Sequence, residues 1–388
     1  MDFVNLDQYN QYMTWIERDA ALSALAVKPQ TLYAYVSRGR IKSKAHPEDP
    51  RASLYLEADI NTLLEKRRRG RSRSDIASAA IAWGDPVMET RITTVRSGRL
   101  IYRGQDATKF AEDATLEETA ALLWGVDSIP LVKASKSALS ETTGKGRAMA
   151  FLAARAAGDI PMAGRTHASF VTDGAELMAG FARAVSGAKG RGMYHQRLAR
   201  LWQLGPVGTD LLRRALVLVA DHELNPSTFA ARIAASTGAP LAACALSGCA
   251  VLAGPRHGEA SARALEFLKS ARREGPKRAL IRLAEMQAAI PATGHPLYPN
   301  GDPRAKALLN WMKLPSDLKR AIQAAEQESQ QEANVDMALA AMCLTLELPD
   351  DAPFLIFASG RLVGWIAHAI EQALSGEFIR PRAHYSGD

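Results

Sequence analysis

The chain has 388 residues, of which 47% are apolar and only 6% aromatic. That length and balance suit two or three domains with a large core of closely packed helices, and argue against a β-rich fold. The net charge of +7 admits an anionic partner, whether nucleic acid, a small polyanionic substrate or a nucleotide, without choosing among them. Cys244, Cys249 and Cys343 lie in apolar helical runs with no CxxC spacing, which argues against a disulfide frame or a zinc site. The polar, acidic opening MDFVNLDQYN is no signal peptide, and no apolar run looks long enough to span a bilayer. A soluble cytoplasmic protein is the expectation.

Residues 1–74 read as a separate module. A helix over 15–25 is broken by Ala26-Val27-Lys28-Pro29, and a second, shorter helix over 30–37 ends at Arg38-Gly39-Arg40. Residues 41–45 and 52–56 alternate as a hairpin, and a helix from Glu57 or Asp59 runs into the basic stretch 66–71. Helix, turn, helix and hairpin is the order of a winged helix-turn-helix. LAVKPQTLYAYVSRGRI followed by LYLEADINTLLEKRR resembles the MerR or excisionase class of DNA-binding domain. The resemblance implies that the second helix presents Gln30, Thr31, Tyr33 and Ser37 to a groove, with Arg38 and Arg40 near phosphates. The module carries a net charge of only +4, so it reads equally as a docking unit for protein. Residues 75–87 read as a linker.

In the next stretch, TRITTVRSGRLIYRG suggests a hairpin turning at Ser97-Gly98, and Asp113 to Glu118 starts an amphipathic helix that ends at Gly125. Residues 130–216 show only helical runs broken by Gly and Pro. Asn225-Pro226 is an N-cap followed by proline at the first helical position, with Phe229 and Ile233 at helical spacing before Gly238-Ala239-Pro240. A second apolar helix over 241–252 runs into Gly254-Pro255-Arg256-His257-Gly258. His222 and His257 therefore sit beside helix breakers, where a ligand can approach. Each alone reads as an ordinary capping or surface histidine. Three further polar clusters follow: the loop Thr293 to Arg304 with His295, Asn334-Val335-Asp336 at the front of an apolar helix, and Ser359-Gly360-Arg361 with Arg380 near the C-terminus.

In order, ADHELNPSTFAARIAAS, GPRHGEA, GHPLYPNGDPRA, NVDMAL, GRLVGWIAHAIEQ and RPRAHYSG resemble the citrate synthase family over residues 88–388. The resemblance implies a mainly α fold, with a large helical domain at 88–257 and 346–388 and a small mobile one at 258–345. It implies that His257 hydrogen-bonds the thioester carbonyl of acetyl-CoA, Asp336 removes the methyl proton, and His295 polarises and protonates the ketone of oxaloacetate. His222, Arg304 and Arg361 match ligands of the substrate carboxylates, and Arg380 an arginine supplied by the neighbouring subunit of a homodimer. No metal or cofactor is implied, since acetyl-CoA enters as substrate.

These residue types suit the chemistry. One group must draw a proton from a thioester methyl while another stabilises charge on the carbonyl oxygen, and planar arginines hold carboxylates better than lysines. Two departures from the family pattern stand near the reacting atoms. Ala292-Thr293-Gly294 replaces the commoner Gly-Phe-Gly, and Arg256 and Glu259 replace leucine and glycine. On charge grounds Arg256 is a candidate contact for CoA phosphates. The expected activity is condensation of acetyl-CoA with oxaloacetate, the alternatives being 2-methylcitrate synthesis from propionyl-CoA or a DNA-binding regulator that uses the fold as a metabolite sensor.

Overall fold

The computed structural model describes residues 15–25, 27–47, 49, 52–69, 88–130, 132, 144–187, 192–255, 257–258 and 260–382, with 65–69 described in backbone only. The linker 75–87, Arg256 and Glu259 lie outside the described residues, as do Gly70 and Arg71 of the basic stretch. Two compact units result, one spanning Thr90–Pro381 and the other drawn from the residues on either side of it.

The N-terminal unit holds helices Arg18–Leu25, Pro29–Ser37 and Glu57–Arg69 and a three-stranded antiparallel sheet with Ser53–Leu56 between Trp15–Glu17 and Ser43–Ala45. Trp15–Glu17 is a strand, not the first turn of a helix as its sequence suggests. Its register, Trp15 opposite Leu56, is set by a partner far along the chain, which local periodicity does not reveal. Ala21, Leu25, Leu32, Ile41, Tyr55 and Ile60 form its small core. Pro29 starts the second helix because it needs no backbone N–H there and its φ is already helical.

The larger unit is mainly α and opens with a hairpin, Thr93–Arg96 against Arg99–Tyr102. Ser97 and Gly98 both take positive φ, 52° and 71°, the combination a two-residue turn needs to match strand twist. A short third strand leads to a helix, Ala107–Asp113, capped by Asp106, that the sequence reading did not separate from the next one. Leu116–Trp124 starts with a reciprocal bond pair between Thr115 and Glu118 and stops at left-handed Gly125. Helices Gly144–Gly158, His167–Ser186, Tyr194–Leu201 and Pro206–Leu218 follow.

Helices Pro226–Ser236 and Leu241–Leu252 begin where the caps place them, and Asn225 accepts from the N–H groups of Ser227 and Thr228. The apolar face expected of the first is corrected, however. Ser227, Thr228 and Arg232 point inward and Ile233 outward, because buried polar partners await them. Helices Ala260–Glu274, Pro276–Glu285, Pro303–Trp311, Ser316–Ser329 and Val335–Thr345 come next.

All of these lead to Ala352–Ser375, whose residues from Ala352 to Ile370 are all buried. The expectation that no run is long and apolar enough to cross a bilayer fails for this helix. It passes by length and composition, and its most apolar window is wholly buried inside the protein, so its apolar surface is spent on neighbouring helices. Those neighbours include Pro226–Ser236, Leu241–Leu252, Leu116–Trp124 and Pro206–Leu218. Gly364 permits the closest approach: a Cβ there would sit 2.4 Å from Ala220 O and from Asp221 Oδ1.

Candidate active site

Four separate stretches supply the cluster. His222 follows the Pro206–Leu218 helix in a turn held by Tyr102, whose hydroxyl lies 3.0 Å from Val217 O and 3.2 Å from both Leu218 O and Asp221 O. Glu223 ties the same turn to the hairpin by accepting from Val95 N at 2.5 Å. His222 Nε2 hydrogen-bonds the Tyr298 hydroxyl at 2.9 Å. Its ring meets that of His295 edge-on, 4.9 Å between centroids. Burial, then Arg304, His295, Arg361 and His257, depress the His222 pKa far below the ordinary histidine value.

His295 is carried by a loop bolted to the start of the Val335–Thr345 helix. Asn334 N donates to Ala292 O (3.0 Å), Asn334 Nδ2 donates to Gly294 O (3.0 Å), and Gly294 N donates to Glu332 O (2.7 Å). Asn334 also caps that helix by accepting from Asp336 N. One side chain thus positions both His295 and Asp336. Leu297 N donates to His295 Nδ1 at 3.2 Å, so the neutral ring carries its proton on Nε2. Burial, with Arg304 nearby, lowers the His295 pKa to about 4.

His257 Nε2 lies 3.0 Å from Ser227 Oγ. Trp365 Nε1 donates to the same oxygen at 3.1 Å, and Ser227 Oγ is 2.7 Å from Asn225 Oδ1. The hydroxyl's single proton therefore goes to Asn225 or to His257, and that choice sets the His257 tautomer. Burial and Arg361 bring the His257 pKa down to about 4. Burial raises the pKa of Asp336, against the opposing pull of Ser261 and Arg304. Ser261 Oγ donates to Asp336 Oδ1.

Arg304 and Arg361 are buried. Asp302 accepts from Arg304 Nε at 2.9 Å and from the same residue's Nη2 at 2.7 Å, and it also accepts from Val335 N at 3.0 Å. Arg361 has no carboxylate within ion-pair distance among the described residues. It donates through Nε to Val219 O at 2.9 Å and lies over the Phe357 ring.

His222, His257, His295, Asp336, Arg304 and Arg361 thus come together. Arg380 does not join them: it is exposed on the segment after the Ala352–Ser375 helix, and no described hydrogen bond or ion pair links it to the cluster. Gln30, Tyr33, Arg38 and Arg40 are exposed and Thr31 half-buried in the N-terminal unit. A hollow of about 680 Å³ lined by Asp106, Lys109, Phe110 and Asp113 contains none of these residues, and its Asp106 caps the helix Ala107–Asp113. Among the described residues, no His, Cys, Asp or Glu side chains group to hold a metal ion, and the three cysteines are free and buried. Tyr298, Asp302 and Ser227 stand within the quoted motifs and Ser261 directly follows one, but sequence gives none of them a role. Their signal is only adjacency to the named residues.

A family model described as citrate synthase, C-terminal domain, matches residues 166–382, more than half of the chain. The chain belongs to the citrate synthase family. Citrate synthase 2 of Bacillus subtilis (strain 168) is 33% identical over 193 residues, 47% of this chain and 52% of that protein. The 2-methylcitrate synthase of Shewanella oneidensis is also 33% identical, over 190 residues, 46% of this chain and 51% of that one. The chain spans about half the length of these curated relatives. Among solved structures, citrate synthase from Thermotoga maritima MSB8 superposes with a TM-score of 0.61 at 26% identity, covering 79% of this chain and 94% of that one. The citrate synthase fold thus extends well upstream of the family-model match.

Proposed function

We propose that the protein condenses acetyl-CoA with oxaloacetate to give citrate and CoA, through an enol(ate) and hydrolysis of a citryl thioester. The observation that carries this reading is the joining of a carboxylate of raised basicity, Asp336, to two buried guanidiniums and three imidazoles held neutral. Asp336 removes the methyl proton, while His257 hydrogen-bonds the thioester carbonyl on which charge develops. A neutral imidazole donates there without adding a full charge to the pocket. His295, with its proton on Nε2, polarises the ketone and protonates it as the carbon–carbon bond forms. Arg304, Arg361 and His222 take the two carboxylates of oxaloacetate. Residues 258–345 act as the smaller helical body, closing over 88–257 and 346–388 to exclude water until condensation is complete. Free-CoA release from acetyl-CoA that depends on oxaloacetate, and that falls by about 10²–10⁴ in Asp336→Ala, is the expected result. Equal release by the variant overturns the reading.

The equal identity to a 2-methylcitrate synthase supports propionyl-CoA as an alternative acyl donor. One methylene is worth about 1–3 kcal/mol of discrimination, so the ratio of kcat/KM for the two acyl-CoAs decides. Exposure of Arg380 away from the cluster supports its supply to a second subunit of a homodimer, and a fully active monomer in sedimentation overturns that. The exposed Gln30, Tyr33, Arg38 and Arg40 along and just after one helix support a DNA-contacting role for the N-terminal unit, winged helix-turn-helix in type. Such binding shows as a mobility shift strongest at low salt, and no shift at low salt removes it.

A further inference from the structure

The Val219–Ala220–Asp221 turn, which delivers His222, is held by one stripe of the Ala352–Ser375 helix. Arg361 Nε donates to Val219 O at 2.9 Å and Gly364 N to Ala220 O at 3.1 Å, while His368 Nε2 pairs with Asp221 Oδ2 at 3.1 Å. Positions 361, 364 and 368 follow one another on a single helix face, so three successive residues of the turn are each fastened to it. The last of the three contacts is the unusual one. His368 and Asp221 side chains are both fully buried, and His368 Nδ1 has no hydrogen-bond partner among the described residues. Asp221 is thus the polar anchor of this ring. Burying such a pair costs desolvation that its mutual attraction repays only when the remaining polar atoms are also satisfied, and here Asp221 Oδ1 is unpartnered as well among the described residues.

We propose that His368 and Asp221 are positioning residues for the oxaloacetate-binding pair His222 and Arg361. His368 fixes the Asp221 carboxylate, and with it the backbone from which His222 projects into the cluster. Asp221 also sets a buried negative charge within electrostatic reach of Arg361, which among the described residues has no carboxylate within ion-pair distance and donates to the same turn at Val219 O. Tyr102 also braces this turn, its hydroxyl accepting from Asp221 N at 3.2 Å and lying 3.0 Å from Val217 O and 3.2 Å from Asp221 O. Packing and these other hydrogen bonds therefore hold the turn roughly in place, and the dyad sets its last ångström. A misplacement of that size costs substrate binding and alignment more than it costs the fold. The inference rests on the proposed synthase reading for its substrate.

The test uses the full chain with His368→Leu, His368→Gln and Asp221→Asn. Leucine fills the space without a donor, glutamine restores an N–H near the Nε2 position, and asparagine keeps the shape of Asp221 without its charge. We expect His368→Leu to raise the KM for oxaloacetate about tenfold or more with a smaller change in kcat and none in the KM for acetyl-CoA. His368→Gln is expected to recover most of that loss, and Asp221→Asn to resemble His368→Leu. Loss of thermal stability with the oxaloacetate KM unchanged overturns the proposal, as does a glutamine variant no better than leucine. Where His368→Leu does not fold, the Asp221→Asn KM carries the decision alone. If the wild type turns over neither acyl-CoA, the synthase reading fails separately. Calorimetric Kd values for oxaloacetate in the same variants then decide the dyad, weakened binding supporting it and unchanged binding overturning it.

Discussion

The DPR turn at 302–304 and the Ala352–Ser375 helix each deliver one buried arginine to the same cluster, and they treat its charge in opposite ways. In the turn, Asp302 grips Arg304 through two donors. Burial works against that charge, but the carboxylate outweighs it and pushes the pKa above the ordinary arginine value. In the helix, Arg361 is equally buried, and among the described residues it has one carbonyl partner and no carboxylate at ion-pair distance. Burial lowers its pKa to about 10, only partly opposed by the more distant Asp221. Arg304 already carries a counter-charge, on Nε and Nη2, before any ligand arrives. Arg361 does not, and a dicarboxylate supplies one. A buried charge can thus be structural or receptive depending on whether its own chain supplies the counter-charge.

Deleting each guanidinium in turn separates the two roles. Arg304→Leu leaves the buried Asp302 carboxylate without its counter-charge, so urea denaturation should show a loss of about 3–5 kcal/mol. Arg361→Leu should cost much less, since it removes a charge without a close partner. Equal losses would erase the distinction.

Ligand linkage sharpens the same point. Oxaloacetate at a hundredfold its Kd should stabilise the wild type by about 2.7 kcal/mol, read as a rise in Tm. Arg361→Leu should abolish most of that rise, while lowering the unliganded Tm less than Arg304→Leu does, by the loss of its bond to Val219 O.

The charges also act on the histidines between them. His257 and His295 titrate near 4 in the folded protein against an ordinary 6.5. Between those values the unfolded chain binds more protons, so stability is present above about pH 6.5 and is lost as pH falls toward 4. His295→Asn should flatten that slope in denaturation curves taken across the window. An unchanged slope would mean that the imidazole is not held neutral. The smallest effect is expected at the hinge of the His295 loop. Ala292 takes a φ of 57°, where the family pattern has glycine more often, and Ala292→Gly should raise stability by about 1 kcal/mol through relief of that strain.

The motifs were legible because each is local or keeps its order along the chain. The cap at Asn225, the helix stop at Gly125, the Ser97-Gly98 turn and the helix over 241–252 rest on rules that act within four residues. The ordered histidine, aspartate and arginine motifs named the family, and with it the six residues that the fold gathers. The sequence did not reveal what those residues lean on. That Trp15–Glu17 is a strand depends on Leu54 to Leu56. That Arg232 points inward depends on Glu371 and Gln372. That Asp221 meets His368 depends on a helix 147 residues further on. Propensity and periodicity describe a residue's neighbours in the chain, whereas the counter-charge of a buried group comes from whatever packing brings against it. The sequence by itself determined which groups are available for chemistry. Tertiary structure decided their charge and partners, because burial and the nearest opposite charge exist only once the helices have packed.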